Sequence, residues 1–199
     1  MNGFQRRKEQ SRENILRAAA ALFGRFGVDR VSINDIAKEA GVSPVTIYNH
    51  FGSKQDLVMQ WAQSVADDFL HRLEEIVTAK KSYKDKLESV FHAMLEAQEK
   101  DQRGDMDELG NYPEMARLMD EVIAKYFQLF ARLIDEGKQQ GYLSPDFSGD
   151  AVKVYFDLMM AGMKANPELH ARTHQDPKMF RDFMLLILYG FAGERRQSP

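Results

Sequence analysis

The chain has 199 residues, 44% of them hydrophobic, with a formal net charge of −3, which is enough apolar material for a packed core and excludes a disordered chain. Cysteine is absent, which excludes disulfides, thiolate zinc sites and cysteine nucleophiles together. No stretch approaches the roughly 18 uninterrupted apolar residues of a membrane span and the start, MNGFQRRKEQSREN, lacks the apolar core of a secretory signal, so a cytoplasmic protein is expected.

The charge is unevenly spread. Residues 1–60 hold nine basic and six acidic residues, a balance of +3 that leaves −6 for the remainder. Only the amino-terminal part is suited to lie against a polyanion. A first helix is predicted from Glu9 to Phe26, with Ile15, Leu16, Ala19, Leu22, Phe23 and Phe26 recurring at helical spacing. The basic cluster Arg6, Arg7, Lys8 and Arg12 precedes or opens it, and reads either as an arm reaching phosphate or the minor groove or as a frayed terminus.

VSINDIAKEAGVSPVTIYNHF, from Val31 to Phe51, then spells two short capped helices around a glycine turn. Ser32 is placed to cap the first, Asp35 completes a box-like cap, and Gly41 ends the helix where a left-handed residue is needed. Ser43 starts the second, with Pro44 at the first helical position, where a missing N–H costs nothing. Ile47 and Phe51 share one face, while Val45, Thr46, Tyr48 and Asn49 point elsewhere. This is a helix-turn-helix whose second helix has the size and chemistry to enter a major groove.

Ser53 with Asp56 caps a fourth helix of about 25 residues. Leu57, Trp61, Val65, Phe69 and Leu73, four apart, are expected on one apolar side, and Lys80 to Ser82 as the break after it. A further helix is predicted over Lys84 to Lys100, then an irregular segment, DQRGDMDELGNYP, then a helix from Glu114 to Gln140. Gly141 stops that helix, and YLSPDFSGD is turn chemistry. Val152, Tyr155, Phe156, Met159, Met160 and Met163 mark the next helix, NPELHARTHQDP a loop, and Phe180 to Phe191 the last helix. No alternating run of strand length occurs, so the expected fold is all-α. A small head over residues 1–55 is joined by the long helix to a helical bundle over 56–199.

The run ILRAAAALFGRFGVDRVSINDIAKEAGVSPVTIYNHFGSKQDL, Ile15 to Leu57, closely resembles the DNA-binding domain of the TetR family of bacterial transcription regulators. Its most specific parts are the IAKEAGVS turn, TIYNHF and SKQDL. The resemblance implies a homodimer on a double-stranded DNA operator and a small-molecule effector in the larger domain. It also implies that Tyr48, His50 and Lys54 touch the DNA backbone, and that Ser43, Val45, Thr46 and Asn49, with Pro44 leading them, face the groove. Asn49 suits an adenine edge, and Val45 or the Thr46 methyl a thymine methyl.

Trp61, Phe69, Phe91, Met94, Met115, Met119, Tyr126, Phe127, Phe130, Tyr155 and Met159 read individually as core. As a set they fit the cavity among the later helices where the family binds effectors, with walls suited to bulky apolar or planar compounds. Asp105, Asp107 and Glu108 would answer a cation or are simply solvated. The last two helices are apolar over more than one face, which calls for neighbours on both sides. Met160, Met163, Phe180, Phe183, Met184, Ile187 and Phe191 are therefore expected at a subunit interface, where the family pairs its last two helices.

His170 and His174 have helical metal spacing, but Pro167 and Pro177 argue for a loop, and no metal site is expected. No phosphate loop or nucleophile elbow occurs, so neither an enzyme nor a cofactor is expected. The expected function is a ligand-responsive regulator, most often a repressor in this family. The rival is a ligand-sequestering or protein-interaction bundle that does not bind DNA.

Overall fold

Caps and one continuous long helix organise the chain, seen here in a computed structural model that describes residues 3–100, 109, 112–146, 148–166, 168, 172 and 176–191. Among the described residues there are eight helices of appreciable length and no strand. They are α1 (Gly3–Phe26), α2 (Ile33–Ala40), α3 (Pro44–Phe51), α4 (Lys54–Thr78), α5 (Tyr83–Lys100), α6 (Pro113–Gln139), α7 (Gly149–Ala165) and α8 (Pro177–Phe191). None of the described helices is long and apolar enough to cross a membrane.

By compactness the chain forms two units, Met1–Asp68 with Arg103–Asp120, and Phe69–Gln102 with Glu121–Pro199. The division falls inside α4 and α6 rather than at residue 55, where the helix-turn-helix pattern ends. In the first unit α1 packs on α2 and α3. Ile15, Ala19 and Phe23 of α1, Ile36 of α2, Ile47 of α3, and Leu57 and Val58 of α4 are fully buried. Each large side chain among them contributes about 1.5–3 kcal/mol on leaving water.

Helix α1 begins at Gly3, six residues before the expected start. Arg6, Arg7, Lys8 and Arg12 are thus helical. In α4 the expected apolar side is corrected. Leu57 and Leu73 are buried as expected, but Val65 between them is exposed, and the other buried positions are Val58, Ala62, Ala66, Leu70 and Val77. Four-residue steps each advance about 40° around a helix, so a strict series from Leu57 to Leu73 winds to the opposite side. The series from Val58 to Val77 shortens one step to three and stays within one face.

The second unit is anchored where α4 ends and α5 begins. Leu73, Val77, Tyr83, Val90, Ala93, Leu129 and Leu133 form one buried cluster. Beside it the ammonium of buried Lys86 donates to the Val77 carbonyl at 2.8 Å and to Glu136 Oε2 at 2.7 Å. Gln140 Nε2 donates to the other carboxylate oxygen at 2.8 Å. The lysine thereby closes an otherwise open carbonyl in the last turn of α4. The Tyr83 ring lies against the backbone of α6, where a Cβ added at Gly137 would stand 2.7 Å from its Cζ. Burial, with the nearby Glu136 charge, pushes the Tyr83 phenol up to about 12.

A second cluster, Phe130, Ile134 and Leu143, carries Phe180 and Phe183 of α8 packed against it. These two phenylalanines, expected between subunits, therefore contribute to the core of their own chain. The side chains of Met160, Met163, Met184, Ile187 and Phe191 lie outside the described residues. Facing solvent instead are Val154 and Leu158, one turn apart on α7, and Leu186 on α8, the last two 69% and 71% exposed.

Candidate nucleic-acid interface

The frame of the helix-turn-helix is closed by short-range hydrogen bonds. The Ser32 hydroxyl and backbone N–H donate to Asp35 Oδ2 at 2.5 and 2.9 Å, and Asp35 N–H returns a bond to Ser32 Oγ at 3.2 Å. This reciprocal box caps α2, and the Ser32 bonds hold the Asp35 carboxyl below its ordinary pKa. At the other end Val42 N–H donates to Ala37 O and Gly41 N–H to Lys38 O. That double closure needs a left-handed residue, which Gly41 supplies at φ 67°. Ser43 Oγ then accepts from Thr46 N–H at 3.1 Å and caps α3.

At 100° per residue, the side chains of α3 fan out in a definite order. With Val45 at the centre, Asn49 lies about 40° to one side, Thr46 about 100° and His50 about 140°, while Tyr48 lies about 60° to the other. Ile47 and Phe51 occupy the remaining arc, and they are the buried ones. Val45 and Tyr48 are 65% and 50% exposed, and Asn49 is also exposed. An arc of polar and small apolar groups on a rigidly capped helix is what a base-reading surface requires.

Each flank of that arc borders an open hollow. On the Tyr48 side a hollow of about 410 Å³ is lined by Tyr48 and Lys54 together with Arg30, Ser32 and Asn34. Lys54 Nζ donates at 2.8 Å to the Val28 carbonyl and at 3.5 Å to that of Asp29. Its ammonium therefore pins the α1–α2 loop, and its third donor is the one left to offer elsewhere. On the other side a hollow of about 510 Å³ is lined by Thr46, Asn49 and His50 with Arg7 and Lys8 of α1. Partial burial, then the positive charges of Lys8 and Arg12, hold the His50 imidazole below its ordinary pKa, with Glu9 opposing them. Arg12 donates to Gln60 Oε1 at 2.5 Å and stands 5.6 Å over the Phe51 ring.

Tyr48 and Lys54 thus share the first hollow and Thr46, Asn49 and His50 the second, with exposed Val45 between them and Ser43 and Pro44 at the amino end of the same helix. Arg30 and Asn34, beside Tyr48 in the first hollow, are additions that motif spacing did not single out. Their only signal was their position flanking the Ser32 cap.

The candidate effector set is divided. Trp61, Met115 and Met119 belong to the first unit, and Trp61 packs edge-on against Phe23 with centroids 5.0 Å apart. Phe69, Phe91, Met94, Tyr126, Phe127, Phe130 and Met159 gather in or on the two clusters of the second unit. There Tyr126 stacks on Phe130 at 6.1 Å, and burial pushes its phenol above the ordinary range. Tyr155 is exposed. Because α4 and α6 each pass from one unit to the other, helical spacing alone does not assign their residues to either. Asp105, Asp107, Glu108, His170 and His174 lie outside the described residues.

Comparison with known proteins places this surface in context. The model of the bacterial regulatory proteins of the tetR family matches residues 15–60. The chain is 26% identical over 147 residues to the HTH-type transcriptional repressor KstR2 of Mycobacterium tuberculosis, covering 71% of this chain and 73% of that protein. It is 27% identical over 131 residues to the fatty acid metabolism regulator protein of Bacillus subtilis, covering 64% and 68%. Among solved structures it is similar in fold to FadR from Bacillus subtilis in complex with stearoyl-CoA. The TM-score there is 0.62 at 19% identity, over 91% of this chain and 97% of that one. With its capped helix pair and exposed arc, the head over residues 15–60 is the part of the chain that matches the bacterial regulatory proteins of the tetR family.

Proposed function

We propose that this chain is a cytoplasmic, ligand-responsive transcription repressor that binds a palindromic DNA operator as a homodimer and is released by a small apolar effector. The observation that carries the reading is the arc of α3, with Val45 and Asn49 outermost and Ile47 and Phe51 fully or nearly buried beneath. Val45 and Asn49 supply base contacts, and Tyr48, His50 and Lys54 the backbone contacts that set register.

The aromatic and methionine side chains on the second unit's clusters support an apolar effector. A relative named for fatty acid metabolism, and a structure of similar fold that holds stearoyl-CoA, make long acyl compounds the first class to test. Release requires that the effector bind one head spacing more tightly than another, since equal affinity shifts nothing. Exposed Val154, Leu158 and Leu186 support a second copy as the partner of α7 and α8.

Fluorescence anisotropy with duplex DNA from upstream of the gene, with and without stearoyl-CoA, tests the core of this reading. Sequence-dependent binding that weakens with the acyl thioester is expected. Binding no tighter than to random duplex removes the regulator reading, and binding indifferent to acyl compounds removes only the effector class. Leu158→Glu should leave the fold intact and shift sedimentation to a monomer. An unchanged dimer would move the interface elsewhere.

A further inference from the structure

A helix seated in a major groove lies between two phosphate backbones, one on each flank. Tyr48 and Lys54 share a hollow on one flank of α3, so the backbone contacts they supply fall on that side. The opposite flank carries Thr46, Asn49 and His50, and it is α1 that completes the hollow there, through Arg7 and Lys8. We propose that Arg7 and Lys8 bind a DNA backbone phosphate on the groove wall opposite the one met by Tyr48 and Lys54, with His50 as a neighbouring donor.

This inference rests on the DNA-binding reading and adds a second, cationic wall to it. Because α1 begins at Gly3, Arg7 and Lys8 are presented by a helix rather than by an extended arm. Arg12, the other basic side chain near His50, is held by Gln60 and lies over Phe51 within the head. Arg7 and Lys8 are exposed at the rim of the hollow. Glu9 offsets part of the positive field, but the net effect of the neighbouring charges on His50 is still that of excess cation. A phosphate entering between these groups meets donors on two helices whose separation is fixed by the buried core of the head.

The full chain, labelled duplex from upstream of the gene and a random-sequence duplex serve for the test, read by anisotropy across a salt series. Arg7→Ala/Lys8→Ala should weaken binding roughly tenfold on both duplexes and reduce the salt slope by about 0.9 for each phosphate no longer neutralised. Arg7→Lys/Lys8→Arg should retain most of both. Lys80→Ala/Lys81→Ala, which removes the same charge from the other unit, should change neither. Circular dichroism confirms that each variant is folded.

Single methylphosphonate substitutions along both strands then locate the contact. The parent should lose affinity at a phosphate to which Arg7→Ala/Lys8→Ala is indifferent, distinct from the one whose effect disappears in Tyr48→Phe. An unchanged salt slope in the folded double alanine variant overturns the proposal and leaves DNA binding standing. Coincidence of the two phosphates overturns the opposite-wall assignment. A parent that binds neither duplex overturns both this proposal and the regulator reading.

Discussion

In the unit that carries α2 and α3, the hydrogen bonds that close the helices span three residues: Ser32 with Asp35, Ser43 with Thr46. In the unit built around α5 and α6 a local cap of the same kind, Ser82 with Asp85, closes α5, and bonds of long reach are added to it. Lys86 meets Glu136 fifty residues on, and Tyr83 N–H meets Gln140 57 residues on. Local closure lets a short segment hold its shape by itself, as a surface that reads DNA to fixed tolerance must. Remote closure ties a unit together only once distant segments have met. It leaves the apolar positions between those ties free to vary.

The contrast breaks most visibly at its cores. Phe23→Ala should cost about 3–5 kcal/mol, because Phe23 is fully buried and supports Trp61 edge-on. Tryptophan emission should shift to the red and chemical denaturation move to lower urea. A midpoint within experimental error of the parent would mean the head does not depend on that packing. In the second unit, Lys86→Met should cost about 2–3 kcal/mol. It strips Glu136 Oε2 and the Val77 carbonyl of their lysine donor, while the remaining Gln140 bond and water reaching Glu136, 22% exposed, limit the loss. Glu136→Gln alongside Lys86→Met should recover part of it, and strict additivity of the two would deny the coupling.

Alkali sharpens the same difference. Burial keeps the Tyr83 phenol protonated to about 12, whereas the unfolded chain releases that proton near 10. Between these values the folded state binds one proton more, so stability is complete below pH 10 and falls as pH rises towards 12. The loss reaches about 2–3 kcal/mol. Tyr83→Phe should flatten that part of the pH–stability curve, and a curve of unchanged slope would assign the loss to other groups. The smallest effect belongs to a local tie. Ser32→Ala should cost about 1 kcal/mol in thermal unfolding, with DNA affinity falling in step. A stability change without any change in affinity would show that the α2 cap does not serve the reading surface.

Much of the head was legible because each signal acts over three or four residues. Ser32, Asp35, Gly41, Ser43 and Pro44 all sit where the structure uses them. The start of α1 was missed because residues 3–8 carry no apolar period and no cap, so nothing in their pattern distinguishes helix from coil. The middle of α4 was misjudged by following large side chains, because there small Ala62 and Ala66 are turned inward and Val65 is not. Trp61 reads from spacing as core or as part of an effector set, and its packing against Phe23 is a contact that spacing does not show. Phe180 and Phe183 illustrate a deeper ambiguity: burial within a chain and burial between chains leave the same hydrophobic spacing. For α7 spacing separates two stripes without deciding which is covered, since Val154 and Leu158 are exposed and so is Tyr155 of the other stripe, whereas Met159 packs on the second cluster.

Gly137 gives the larger unit a constraint of a different kind. Within a helix interior, glycine is less favourable than alanine by about 1 kcal/mol, so propensity alone would favour replacing it. Here even one added carbon would meet the Tyr83 ring within 2.7 Å, and that ring also lies 5.1 Å from Tyr142 and has nowhere close at hand to retreat. In a saturation library across α6, position 137 should therefore tolerate the narrowest range of residues. Survivors bearing a side chain there should carry a second change to a smaller residue at 83, a pairing that would date the two positions as having drifted together.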